Sequence, residues 1–171
     1  MTLTRRRMNA SLLAIAGWGP GAFSGAAPAR AASRPLLSVV GMISGADPDE
    51  GVTFDRGSLE SLGMTAMSTR CPWYVDSVTF EGPLMRRVLE HVGAKGSTLL
   101  VEALNDYTTE VPIEDFRRFD VVLALKRDGA YMPVRDKGPL FLVYPYDSDP
   151  RLQAPVYYKR SAWQVARMIV K

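Results

Sequence analysis

One cysteine and one histidine narrow the chemistry open to this chain. Cys71 stands between Arg70 and the run Pro72-Trp73-Tyr74. A lone cysteine serves either as a small buried hydrophobe or as a thiolate, and a thiolate needs a nearby positive charge, which Arg70 can supply. No intramolecular disulfide framework can be built from one cysteine, and zinc fingers and Cys/His zinc sites are excluded. His91 falls in the last turn of an amphipathic helix, where an imidazolium suits the negative end of the helix dipole. That placement, with no G-x-S-x-G elbow, speaks against a Ser-His-Asp triad. Neither a G-x-G-x-x-G pattern nor a P-loop lysine is present, so nucleotide binding has no support.

The remaining polar candidates sit on loops. Asn105-Asp106-Tyr107 can read the polar edges of a ligand, since an amide and a carboxylate together donate and accept; equally, Asn and Asp make turns. Arg135 and Lys137 flank Asp136 just before an apolar run and can bind an anion or form a solvated hairpin end. Trp73 and Tyr74 read as core or pocket wall. Asp147-Ser148-Asp149-Pro150 is turn chemistry. The acidic loop Ala46–Gly51 lacks the ligand spacing of a calcium loop, because Gly51 stands where an Asp or Asn is needed.

Strands and short helices must position these groups. Leu36–Ile43 is a β-branched apolar run and reads as a strand. Asp55 can cap a short helix through Leu59 and Leu62 that Gly63 ends. Met64–Arg70 reads as a strand that Pro72 terminates. Gly82-Pro83 opens the clearest helix, with Leu84, Met85, Val88, Leu89 and Val92 on one stripe, Pro83 near its first position and Gly93 as its stop. Strands are expected over Thr98–Leu104 and Val121–Lys126, and a short amphipathic helix over Ile113–Phe119. Asp128-Gly129 is a hairpin signal returning through Tyr131–Val134. Leu140–Tyr144 is a buried strand, residues 145–160 read mostly as loop, and Trp163–Val170 closes the chain as a strand. Strands outnumber helices and do not alternate with them, which predicts an α+β fold with a mixed β-sheet and a few short helices.

The charge balance is 21 Lys+Arg against 18 Asp+Glu, a net of +3, but it is unevenly spread. Residues 1–31 hold Arg5, Arg6, Arg7 and Arg30 and no acid, leaving 17 basic and 18 acidic groups in residues 32–171. A basic start, a short broken apolar stretch and Ala29-Arg30-Ala31 have the anatomy of an export signal. Thr4-Arg5-Arg6-Arg7-Met8 is consistent with either a twin-arginine or a general secretory route. Residues 1–31 are therefore expected to be a signal peptide and residues 32–171 one domain, periplasmic, with no basic field for nucleic acid.

Three ordered pieces carry a resemblance: Phe80-Glu81-Gly82-Pro83-Leu84 ahead of Val88-Leu89; Leu123-Ala124-Leu125 with Asp128-Gly129 and Met132-Pro133-Val134; and Lys137-Gly138-Pro139-Leu140 running into Leu142-Val143-Tyr144-Pro145. Together, from Met64 to the end, they resemble the oxidoreductase molybdopterin-binding domain with its sulfite-oxidase-type fold, and in particular its small exported stand-alone members. That resemblance implies a molybdopterin cofactor and a metal-ligating, catalytic cysteine in the loop before the G-x-P-L helix, which is the place of Cys71. A soft thiolate suits such a metal centre. On that reading Arg70 contacts the cofactor, Asn105, Asp106, Arg135 and Lys137 orient the cofactor or the substrate, and the chemistry is oxygen-atom or electron transfer on a small oxyanion or sulfoxide. Cys71 is followed by Pro72-Trp73 rather than by a polar run, and the domain is short. A cofactor-free binding, sensory or accessory module of the same fold, serving a partner in the cell envelope, is therefore the alternative.

Overall fold

Eleven strands and four short helices are arranged in three sheets among the residues described by the computed structural model, 34–44 and 50–171. The expected signal peptide and residues 46–49 of the acidic loop lie outside those residues. The described residues from Arg34 onward belong to one compact unit, Ala32–Lys171.

The first sheet takes its strands from both ends of the chain. β1 (Leu37–Gly41) pairs antiparallel with β2 (Val52–Phe54) and parallel with the final strand, β11 (Val165–Val170). β5 (Thr98–Ala103) and β6 (Thr108–Pro112) extend it antiparallel beyond β11. Val39, Leu99, Val101 and Met168 are fully buried on this sheet, as alternating apolar residues on a half-covered sheet should be. α1 (Arg56–Ser61) follows β2. Its Asp55 side chain accepts the Ser58 N–H at 2.7 Å while Ser58 Oγ receives the Asp55 N–H at 2.8 Å, a reciprocal capping box.

The second sheet runs β3 (Met64–Thr69), β4 (Val78–Pro83), β8 (Lys126–Arg127), β9 (Ala130–Tyr131). The third is the buried pair β7 (Val122–Ala124) and β10 (Phe141–Val143). β4 and β7 cross closely at Gly82, where an added Cβ would lie 2.0 Å from the Leu123 carbonyl oxygen. Only glycine allows that approach. Asp128 and Gly129 have φ of +50° and +81°, so the hairpin is of the twisted kind that matches its strands.

The structure departs from the sequence expectations in several places. Pro83 ends β4 instead of starting a helix; Leu84 is the N-cap residue, and α2 spans Met85–His91. Pro83 is tolerated because a strand end needs no further N–H for the ladder. The apolar run after Val121 breaks at Leu125, whose N–H goes to the Glu81 carbonyl, so β7 and β8 join different sheets. β6 (Thr108–Pro112) precedes α3 (Ile113–Arg118), in a stretch to which the sequence assigned no element. The 145–160 segment carries a 3-10 turn at Pro150–Leu152 and α4 (Pro155–Arg160). Aromatic packing fixes that segment: Tyr144 and Tyr146 are almost wholly buried, and Tyr157 and Tyr158 of α4 lie 5.3 and 5.2 Å from them, centroid to centroid. Asp115, buried on α3, accepts hydrogen bonds from Tyr144 at 2.7 Å and Arg160 at 2.8 Å, tying α3, the segment after β10 and α4 together.

Candidate functional site

The loop from β3 to β4 carries Arg70, Cys71, Trp73 and Tyr74. It is anchored by the segment after β10: the Asp147 N–H donates to Thr69 Oγ1 at 3.1 Å, and the Arg70 N–H donates to Asp147 Oδ2 at 2.8 Å. Cys71 is 8% exposed. It lines an open cavity of about 340 Å³ with Arg70, Tyr74, Asp147, Gln153 and Tyr158.

Burial pushes the Cys71 thiol above its ordinary pKa. The Trp73 main-chain N–H, the Lys137 charge and the Tyr74 N–H act against that, and Asp147 adds to it. Arg70 does not supply the lowering expected of it: its guanidinium turns to Asp147, with Nε 3.3 Å from a carboxylate oxygen, and its side chain is 75% exposed. Burial therefore favours the thiol form of Cys71 over the thiolate.

Lys137 does reach this wall. It follows a 3-10 turn at Val134–Asp136 with φ of +62°, which places its ammonium 4.8 Å from the Tyr74 ring centroid and 5.8 Å from that of Trp163. Arg135 is exposed on the 3-10 turn and lines neither this cavity nor the one described next. Its neighbour Asp136 pairs with Arg127 at 2.8 Å, which holds the Asp136 carboxyl below its usual range. Arg127 also donates to the Tyr74 hydroxyl at 2.9 Å. Arg127 is a positioning group that sequence reasoning missed, since only the hairpin brings it back to Tyr74.

A second cavity, of about 270 Å³, opens across Tyr158, which lines both. Trp73, Asn105, Tyr107, Lys159 and Trp163 form its other walls, with Ser161. Asn105 Oδ1 accepts the Tyr107 N–H at 3.3 Å, so the residue makes the expected turn and also faces a cavity. Asp106, at φ of +63°, is exposed and lines neither cavity. The Tyr107 hydroxyl donates to the Lys159 carbonyl at 2.6 Å, joining the β5–β6 loop to α4. Trp73 sits at the centre, edge-on to Phe141, Trp163 and Tyr158 at 5.4, 5.7 and 6.2 Å, an arrangement that aromatic quadrupoles favour. The structure thus brings Cys71, Arg70, Lys137 and Asn105 around one aromatic partition and leaves Arg135 and Asp106 outside it. Tyr107 stood in the Asn105-Asp106-Tyr107 candidate loop, whereas Tyr158 and Lys159 were not foreseen; their sequence signal was the aromatic and basic content of 155–160.

These mixed sheets with few short helices are the α+β architecture of a molybdopterin-binding domain of the sulfite-oxidase type. The chain belongs to that family: the model for the oxidoreductase molybdopterin binding domain matches residues 56–147, just over half of the chain. No curated protein matches it significantly.

Family membership raises the question of fit to the cofactor. Molybdopterin is anionic at both its dithiolene and its phosphate, so a site for it needs a soft ligand and surplus positive charge. Cys71 offers the soft ligand. Among the described residues the one cation lining it, Arg70, is held by Asp147, which leaves Lys137, reaching over the Tyr74 ring, as a single surplus positive charge near Cys71. Among the described residues no group of three or more His, Cys, Asp and Glu side chains could hold a metal by itself. The described residues of this cavity therefore do not fit the charge of the cofactor.

Proposed function

We propose that this protein is a small-ligand-binding module built on the molybdopterin-binding fold, exported by residues 1–31 and serving a partner in the cell envelope as a sensory or accessory domain. The observation that carries the proposal is the Arg70–Asp147 pair on the Cys71 wall. It neutralises the position where an anionic cofactor would need unpaired cations, while the aromatic partition at Trp73 keeps two open cavities. Apolar walls with a few convergent polar groups are the ordinary design of a small-molecule site.

A molybdenum oxidoreductase acting on a small oxyanion or sulfoxide is the second reading. It is favoured by Cys71, which lies on a cavity wall within the family-matched segment and under the influence of the Lys137 charge. In that case Cys71 would be the metal ligand, and Lys137 and Asn105 would contact the cofactor.

The deciding experiment is elemental and pterin analysis of the exported protein, made in a host that synthesises the cofactor, beside Cys71→Ser. Substoichiometric molybdenum in both, with unchanged stability, is the expected result. One molybdenum per chain, lost in Cys71→Ser, would overturn the binding-module proposal in favour of the enzyme.

A further inference from the structure

Among the described residues, the cavity between Trp73 and Trp163 has an asymmetry of charge that the Cys71 cavity lacks. Its one ionisable lining group apart from tyrosines is Lys159; no carboxylate lines it. Lys159 has no ion-pair partner among the described residues. The neighbouring cations do not share this freedom equally. Arg160 is engaged by Asp115 at 2.8 Å, whereas Lys137 holds its ammonium over the Trp163 ring and adds positive potential from that side.

Hydrogen-bonding capacity is left over as well. Asn105 spends its carbonyl oxygen on the Tyr107 N–H, which leaves its amide NH₂ as an unspent donor pair. The Lys159 carbonyl, which would repel an anion, is already satisfied by the Tyr107 hydroxyl. Rings enclose the rest: Trp73, Tyr107, Tyr158 and Trp163. About 270 Å³ is at the small end for ligand sites and suits one or two fused rings.

We infer that this cavity binds a planar aromatic carboxylate, its ring among Trp73, Tyr158 and Trp163 and its carboxylate met by the Lys159 ammonium and the Asn105 amide. The inference rests on the binding-module proposal and names the ligand class for it. A ring gains from stacking and edge contacts with the aromatic walls, and a charge-assisted hydrogen bond distinguishes an acid from its neutral amide. An unmodified quaternary ammonium, the other usual guest of an aromatic enclosure, is disfavoured by the two ammonium groups.

The test is calorimetric titration of the full chain with three probes: indole-3-carboxylate, indole-3-carboxamide and cyclohexanecarboxylate. The acid with the aromatic ring is expected to bind at least tenfold more tightly than either of the others. Lys159→Gln is expected to lose about tenfold for indole-3-carboxylate and to leave the carboxamide unchanged; Asn105→Ala, at an exposed loop position, is expected to weaken the acid several-fold. Equal affinity for acid and amide, an unchanged Lys159→Gln, or no binding of any probe overturns the assignment of ligand class. Molybdenum content of the same sample decides the binding-module proposal separately, so the two can fail independently.

Discussion

Arg70 and Asp147 are joined twice: the Arg70 main-chain N–H donates to Asp147 Oδ2 at 2.8 Å, and the Arg70 guanidinium Nε lies 3.3 Å from Oδ1. One carboxylate thereby fastens the end of β3 to the segment after β10 and removes a free cation from the Cys71 wall. The exposed ion pair itself contributes little; the main-chain hydrogen bond is the stabilising part. Asp147→Ala is expected to cost about 1 kcal/mol, measured by urea denaturation, with Asp147→Asn costing less because an acceptor oxygen remains. An unchanged midpoint in Asp147→Ala would show that the clasp does not hold the loop.

Cys71 should behave as a sluggish thiol. Its alkylation rate is expected to rise with pH through a midpoint above the ordinary value of 9.0, because burial disfavours the thiolate. Lys137 and Asp147 act on it in opposite directions. Lys137→Gln should move the midpoint further up and Asp147→Asn should move it down. The pH profile of iodoacetamide labelling, followed by mass spectrometry, reads all three; a midpoint below 9.0 in the unaltered protein would contradict the burial.

Alkaline pH should destabilise the fold through two phenols. Burial, then the hydrogen bond to Asp115, raises the Tyr144 pKa; burial also raises that of Tyr146 against the opposing effect of Ser161. Both groups fold as neutral phenols, whereas in the unfolded chain they ionise near pH 10. Their contribution is fully present below pH ~10 and is lost as pH rises from there toward the folded values. Urea midpoints are expected to fall steeply above pH ~10 and less steeply in Tyr144→Phe. That variant should also lose about 1–2 kcal/mol at neutral pH, where Asp115 gives up one buried donor.

Gly82 is expected to be irreplaceable. A methyl group there would sit 2.0 Å from the Leu123 carbonyl oxygen and 2.9 Å from the Ala124 Cα, and both are backbone atoms that cannot swing aside. Gly82→Ala should cost at least about 2 kcal/mol by forcing β4 and β7 apart. Gly129→Ala, with nothing within 4 Å of the new methyl, should cost only the strain of its positive φ, about 1 kcal/mol. Thermal denaturation of the two variants side by side checks the contrast.

Much of the element order was legible along the chain. The Asp55 cap, the α2 stripe with its Gly93 stop, the α3 pattern and the Asp128-Gly129 hairpin are written in residues within a few positions of one another. β4, β6 and α4 were not legible, because their local signals point elsewhere. Val78–Pro83 ends in a helix-opening dipeptide, Thr108–Pro112 is short and polar, and Pro155–Arg160 holds a valine and two tyrosines that are poor helix formers. Their conformations come from pairing with β3 and β5 and from packing against Tyr144 and Tyr146.

The candidate site divides along the same line. By itself the amino-acid sequence determined which groups are on hand: one thiol, one imidazole, a basic segment confined to residues 1–31, and loop residues such as Asn105 and Lys137 able to meet an anion. Only the tertiary structure decided which of them meet. Asp147 reaches Arg70 from 77 positions away, Lys137 lies over Trp163 rather than beside Arg135, and Tyr107 closes on Lys159 across 52 positions. Such partners are chosen by how β10 and α4 cross the β3–β4 loop, and a crossing depends on the packing of the whole core rather than on the spacing of neighbours along the chain.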